Sequence, residues 1–290
     1  MVKYPVYDVH NFQCQSIHAD LYVNTFQNHL KNHAFVEEPH RHNSHLLLFF
    51  TKGSGTHEVD FDVFEIQRGS LFLLQPGQLH HWNLSADVDG FVVIYAAEQY
   101  NLYFGRKKLS DYPFYASAQQ KPEIVLDDVE IRSVLPYFNL LVSENQQSAH
   151  FQIDKMFNLI DCIHIELARK YDVDDGHQTP AYNTKIGLFE SLMERHFREE
   201  KLPSFYAEQL HITLKHLNRI CNEILGKTAT EVIAGRVVLE IKRMLSDKQL
   251  SVNEIADALG FEDYSYFSRF FKKQTGHSPT DFRKNNNQPK

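Results

Sequence analysis

The stretch that decides the fold of this chain runs from Ile255 to Arg283. It reads Ile255-Ala256-Asp257-Ala258-Leu259-Gly260-Phe261, then Glu262-Asp263-Tyr264-Ser265-Tyr266-Phe267-Ser268-Arg269-Phe270-Phe271-Lys272-Lys273, and closes on Gly276-His277-Ser278-Pro279 and Asp281-Phe282-Arg283. Ile255, Ala256 and Leu259 recur at helical spacing, and so do Phe267, Phe270 and Phe271. The pattern is two short helices joined by a turn. Ala256 is small enough to let a second helix cross close to it. Gly260 stands where the turn needs positive φ, which glycine adopts at least cost. These are the requirements of a helix-turn-helix, whose second helix can lie in a DNA major groove.

The outward face of that second helix carries Tyr264, Ser265, Ser268, Arg269, Lys272 and Lys273. Hydroxyls and an arginine can read base edges, and lysines can neutralise phosphates. Periodicity alone fits a plain helical hairpin with a solvated basic face equally well. The whole string is more specific. Its Ile-Ala and Leu-Gly-Phe, the Tyr-Phe-Ser-Arg core, Phe-Lys-Lys, the Gly and Pro pair and the final Phe-Arg resemble, in order and spacing, the C-terminal signature of AraC/XylS-family transcriptional regulators. The resemblance implies double-stranded DNA as a partner, a small-molecule effector, a homodimer, and RNA polymerase as a further partner for an activator.

A second copy of the pattern lies upstream. Thr184 to Glu199 reads as a helix, and Pro203 to His211 as the next, with Ser204 as its expected N-cap. Thr213 then caps a helix from Leu214 to Leu225, ended by Gly226. Leu214, Leu217, Ile220, Cys221 and Leu225 form the expected core side. Lys215, His216, Asn218, Arg219 and Asn222 face away. The segment Leu217-Asn218-Arg219-Ile220 resembles the family's first reading helix, with an aromatic replaced by Ile220. The expected DNA-binding set is Thr213, Lys215, His216, Asn218 and Arg219, with Tyr264, Ser265, Ser268, Arg269 and Lys272 from the second copy. Glu231 to Leu245 reads as the connecting helix, and Ser251 with Glu254 as a capping box. Two such units on a rigid connector suit successive major grooves about 34 Å apart.

With 290 residues the chain has room for two domains. Its net charge of −7 is unevenly spread. Residues 181–290 hold about 17 Lys and Arg against about 14 Asp and Glu, a mildly basic tail on an acidic body. The three cysteines, Cys14, Cys162 and Cys221, are odd in number and far apart, which argues for a reducing, cytoplasmic setting. Neither a signal pattern nor a bilayer-spanning apolar run is present, so no membrane partner is expected.

From Tyr4 to about Ala97 the chain alternates short apolar runs with turns, the pattern of an all-β sandwich or barrel. Leu46 to Phe50 is one run. Thr56 to Phe64 alternates, with Val59, Phe61 and Val63 against Glu58, Asp60 and Asp62. Leu71 to Leu74 and Phe91 to Tyr95 follow. Pro39-His40-Arg41-His42, and Gly69 with Pro76-Gly77-Gln78-Leu79-His80, resemble the two motifs of a cupin barrel. Metal-binding cupins place a glutamate soon after the second histidine, whereas here the segment is Asn43-Ser44-His45-Leu46-Leu47. His40, His42, His45, His57, His80 and His81 are imidazole donors, or they line the barrel mouth. With the ligand set incomplete, no metal and no cofactor is assigned. A small barrel holds one organic ligand, and His42, His80 and Trp82 are the candidate effector contacts, although core packing suits the single tryptophan better. The rival from another class is a cupin metalloenzyme with an accessory helical domain. Stoichiometric metal on His40, His42 and His80 would favour it.

Asn101 to Pro122 is aromatic-rich and reads as irregular or partly helical. Asp127 to Gln147 and Phe151 to Tyr171 carry apolar stripes of helical period, with Pro136 a kink in the first. By resemblance these helices pair two subunits; simple packing onto the barrel gives the same stripes. Tyr171 to Tyr182 is polar and turn-rich. The expected organisation is α+β: a cupin-like barrel with dimerisation helices over 1–171, a linker over 172–182, and an all-α DNA-binding domain of two helix-turn-helix units over 183–284. No covalent chemistry is required, so the protein is expected not to be an enzyme.

Overall fold

The computed structural model describes residues 4–12, 21–33, 38–115, 121–174, 180–246 and 249–285. These fall into two compact units, one of Tyr4–Tyr115 with Gln120–Gly176, the other within His177–Lys290.

In chain order the first unit contains β1 (Val6–Tyr7), β2 (Leu21–Thr25), α1 (Phe26–Asn32), β3 (His40–His42), β4 (His45–Lys52), β5 (Gly55–Val59), β6 (Asp62–Ile66), β7 (Ser70–Leu74), β8 (Leu79–Leu84), β9 (Asp89–Tyr95), α2 (Ala97–Phe104), β10 (Glu123–Val125), α3 (Asp128–Asn145) and α4 (Gln152–Asp174). The strands form two five-stranded sheets, ordered β1-β3-β8-β5-β6 and β10-β7-β4-β9-β2. Among the described residues no ladder joins the two sheets into a closed cylinder, so the cupin-like layer is a pair of facing sheets. The run Leu46–Phe50 has a simple cause. Leu46, Leu48 and Phe50 fill the core that also holds Phe26, Phe72 and Trp82, while Leu47 and Phe49 join the core that holds Phe138, Met156 and Ile160. The strand is covered on both faces, so every residue is apolar.

The expected single alternating strand over Thr56–Phe64 is a hairpin. Strands β5 and β6 pair antiparallel, Val59 opposite Asp62, and Asp60 takes φ 56° in the tight turn. Its carboxylate accepts the backbone N–H of Leu79 at 3.2 Å, fixing the turn against β8. The bend flips the parity: His57 and Val59 face inward before it and Phe64 and Ile66 after it, while Val63, expected on the apolar side, is 53% exposed. Helix α3 opens on the Asp127–Glu130 capping box and contains Pro136. The aromatic segment before β10 is α2 followed by two 3-10 turns, Leu109–Asp111 and Pro113–Tyr115, with Tyr100, Tyr112, Phe114 and Tyr115 buried in the core shared with α4. Of the expected linker, helix α4 runs to Asp174, α5 begins at Pro180, and 175–179 lie outside the described residues.

The second unit is helical: α5 (Pro180–His196), α6 (Pro203–Gln209), α7 (Leu214–Leu225), α8 (Ala229–Ser246), α9 (Val252–Ala258), α10 (Tyr264–Thr275) and α11 (Pro279–Asn285). Its core gathers Phe189, Tyr206, Ile220, Ile241, Ile255, Phe267 and Phe271. Buried Arg236 on α8 meets Glu194 at 2.7 Å and Glu240 at 3.1 Å, and Arg198 also reaches Glu240 at 3.0 Å. Two local expectations are corrected. The N-cap of α6 is Leu202, not Ser204, because Pro203 takes the first helical position, where a missing N–H costs nothing. Leu214 is 42% exposed and not core, since the Thr213 cap sets it on the solvent side of the first turn.

Candidate DNA-binding and effector sites

Helix α7 is set by its two ends. The Thr213 hydroxyl accepts the N–H of His216 at 3.2 Å, and Gly226 closes the helix at φ 62°. Thr213, Lys215 and Arg219 are exposed, and His216 is half-buried. Asn218 is also half-buried, and its side-chain oxygen accepts the N–H of Ala229 at 2.9 Å. That contact satisfies one of the orphan donors at the start of α8. Asn218 thus has a structural task that helical spacing did not reveal.

Helix α10 repeats the scheme. Asp263 accepts N–H groups from Ser265 at 2.6 Å and Tyr266 at 2.9 Å, and Gly276 closes the helix at φ 81°. Those N–H groups hold the Asp263 carboxyl below its ordinary range. Tyr264 donates to Asp257 at 2.9 Å, tying α10 to α9. Ser265, Arg269, Lys272 and Lys273 are exposed, and Ser268 is half-buried. Tyr266, outside the expected set, is 53% exposed on the same helix and packs beside Phe261. Its spacing of three residues from Arg269 was the available signal. The repeat extends past each helix. After Gly226, Thr228 caps α8 and bonds Glu231; after Gly276, Ser278 caps α11 and bonds Asp281. Gly260 takes φ 65°, and a Cβ there would stand 2.6 Å from the Arg198 carbonyl oxygen. Each copy therefore presents one short helix with a polar outer face and an apolar inner one.

In the first unit the histidines divide by strand parity. His40 and His42 on β3 and His80 on β8 point between the sheets, with His40 directly opposite His80. His57 on β5 sits opposite Trp82. His40 Nε2 lies 3.1 Å from His42 Nε2, and His57 Nε2 lies 3.0 Å from His80 Nδ1. His40 Nδ1 donates to the Glu38 carbonyl at 2.7 Å. Burial lowers His40 to about 4 and His57 to about 3, and holds His42 and His80 well below the ordinary histidine value. All four rings are neutral at pH 7. His45 departs from the expected cluster. It faces the opposite side of its sheet, stacked on Tyr95 at 5.7 Å, where Tyr95 also bonds Tyr115 at 2.8 Å and His164 at 3.0 Å. His81 is half-exposed beside Glu58. Two histidines not anticipated, His29 and His33 of α1 and its C-cap, join the inner group; His29 Nδ1 lies 3.0 Å from the Tyr22 hydroxyl. Their spacing of four residues was the missed signal.

Trp82 packs in the core, 6% exposed, as expected of the lone tryptophan. Its ring also forms one wall of a half-open pocket of about 500 Å³, with Gln27, Leu30, Asn83, Ser85 and Val88 among the other residues around it. His42 and His80 do not line that pocket. The ring of His80 lies 5.4 Å from that of Trp82.

Comparison with known proteins covers both units. A family described as an AraC-like ligand binding domain matches residues 21–153, and a helix-turn-helix domain family matches residues 206–285. The arabinose operon regulatory protein of Salmonella typhimurium is 20% identical over 254 residues, 86% of each chain. The transcriptional activator RhaS of Escherichia coli is 21% identical, over 84% of this chain and 86% of its own. Among solved structures, ToxT of Vibrio cholerae aligns over 91% of this chain and 98% of its own, at 14% identity and a TM-score of 0.44. A ligand-binding half and a helix-turn-helix half, matched in the same order as the two units, place the chain in the AraC/XylS family of transcriptional regulators.

Proposed function

We propose that this protein regulates transcription by reading a specific DNA sequence with α7 and α10, under control of a small molecule bound by the first unit. The observation that carries the reading is the repeated helix-turn-helix, in which each second helix is capped at both ends and turns a polar face outward. Arg219 and Arg269 are the reading residues, since an arginine fork pairs with guanine at about 1–3 kcal/mol of discrimination. Lys215 and Lys272 contact phosphates; Ser265, Ser268 and His216 contribute polar contacts. Thr213, Asn218 and Tyr264 act chiefly by holding the helices in place. The sensor spans 1–171, the linker 172–182 and the DNA-binding domain 183–284.

The effector enters the pocket beside Trp82, whose volume suits a compact organic molecule. The first unit pairs two chains, and the exposed Val129, Leu140 and Phe151 of α3 and the segment before α4 support that use. The protein acts in the cytoplasm beside RNA polymerase; no helix among the described residues is long and apolar enough to cross a membrane. Both curated relatives named above are regulators by their names. The test is a gel-shift isotherm on a site selected from random DNA. Arg219→Ala and Arg269→Ala should each weaken binding roughly 5- to 100-fold. Unchanged isotherms for both variants would remove α7 and α10 as reading helices.

A further inference from the structure

We propose that the first unit binds one divalent transition-metal ion of the zinc type through His40, His42 and His80. The three residues each bring a ring nitrogen within 4.8 Å of the others, and all three are buried. Two such nitrogens on one zinc stand at most about 4.2 Å apart, twice the usual Zn–N length. The His40–His42 pair at 3.1 Å is already inside that limit, so closure needs only a small movement of His80.

The proton positions favour an ion over a simple hydrogen-bonded cluster. The Glu38 carbonyl can only accept, so His40 carries its proton on Nδ1 and turns a bare Nε2 inward. His42 Nε2 must then donate to it, which leaves His42 Nδ1 a buried acceptor with no partner. His80 Nε2 is likewise buried without a partner, while its Nδ1 is held by His57. A buried polar atom left unpaired costs about 1–3 kcal/mol. A metal ion takes the bare Nε2 of His40 and of His80, and takes His42 Nε2 once that ring's proton has moved to Nδ1; all three rings stay neutral, and the unpaired acceptor it satisfies is His80 Nε2. The outer contacts are those of metal-bound imidazoles, whose second nitrogen is fixed by a carbonyl or another side chain. Here Glu38 orients His40 and His57 orients His80.

The donor set also selects the ion. Three neutral imidazoles suit zinc, nickel, copper or iron and not calcium or magnesium, which take oxygen donors. The nearby segment 43–47 adds no carboxylate, and its one histidine, His45, faces away. The bound ion keeps its full charge and an open position for water or an anionic group. Trp82 lines the pocket and lies beside the rings of His40 and His80, so an ion would stiffen one wall of the effector site. That regulatory consequence rests on the proposed function; the metal site itself does not, so bound metal alone no longer separates a regulator from a metalloenzyme, and the gel shift makes that distinction.

The test uses the full chain stripped with chelator near neutral pH and titrated with cobalt(II), then zinc(II). Trp82 is the only tryptophan, 5.4 Å from His80 and 6.0 Å from His40. One cobalt per chain should bind, quench Trp82 emission with the same midpoint, and be displaced by zinc. His57→Phe should lower the affinity about 10- to 100-fold, as loss of an outer-shell partner does. His80→Gln should abolish the quenching while far-UV circular dichroism stays unchanged. Cobalt that binds without quenching Trp82, no stoichiometric binding by the folded wild type, or a folded His80→Gln protein with wild-type affinity would overturn the proposal. Should His80→Gln not fold, the wild-type titration and His57→Phe decide it. A parallel gel shift reads the DNA-binding assignment independently.

Discussion

The two units solve the problem of a buried core in opposite ways. The helical unit fills its interior with aromatic and aliphatic side chains, and its buried polar groups are the carboxylate of Glu190 and the paired charges of Arg236, Glu240 and Arg243. Among the described residues the sheet unit buries eight histidines, His29, His33, His40, His42, His45, His57, His80 and His164, amid its aromatic rings. Neutral imidazoles can be packed like aromatic rings, yet each keeps a nitrogen able to bind or titrate. The contrast separates a core that only has to hold a shape from one that is open to chemistry.

Acid should break the symmetry between the units most strongly. Burial lowers His29, His57 and His164 to about 3 and His40 and His45 to about 4, so the folded unit stays neutral where an unfolded chain takes up protons. Stability from these groups is complete above pH 6.5 and drains away as pH falls towards 3–4. Proton uptake by the unfolded chain sets the size of the loss, on the order of 2 kcal/mol for one such histidine between pH 7 and 5. Trp82 emission should shift to the red between about pH 6 and pH 4 in metal-free protein, ahead of the loss of helical circular dichroism. Emission unchanged down to about pH 4 would mean that the imidazoles are not buried neutral in the native state.

A cavity in the other core should act in reverse. Phe267 is fully buried between Phe261 and the α8 face, and Phe267→Ala should cost about 3–5 kcal/mol. Urea unfolding followed by circular dichroism should show an early transition in the variant, DNA binding should fall, and the Trp82 transition should stay where it is. A Trp82 midpoint that moved equally would show that the units unfold together. Gly260→Ala is the finer probe. Positive φ and the Arg198 carbonyl at 2.6 Å from the added Cβ predict a loss of roughly 1–3 kcal/mol, confined to the helical transition.

Much of the helical unit was legible because its signals are local. Thr213, Ser251, Gly226 and Gly260 act on their own turn, and each stands at the bend or cap expected of it. The structural task of Asn218 went unread because its partner, Ala229, belongs to the next helix, beyond the reach of a helical wheel. The sheet unit hid more. His42 and His45 stand three residues apart but on strands of different sheets, and only the packing shows that His42 looks between the sheets and His45 away from them. The hairpin at Asp60 escaped because the apolar Phe61 and Val63 carry the sequence alternation past a bend that in fact inverts it and leaves Val63 exposed. The convergence of His40, His42 and His80 depends on β3 and β8 being neighbours, which the cupin resemblance implied and chain spacing by itself did not show.

Strand β4 is a wall common to two rooms. Because Leu46, Leu48 and Phe50 look into one and Leu47 and Phe49 into the other, the same backbone carries both sets of contacts. A close-packed interior does not compress to absorb a displacement. A ligand that shifts this strand by a fraction of an ångström on its inner side therefore shifts the footing of α3 and α4 by the same amount, with no hinge or moving loop required.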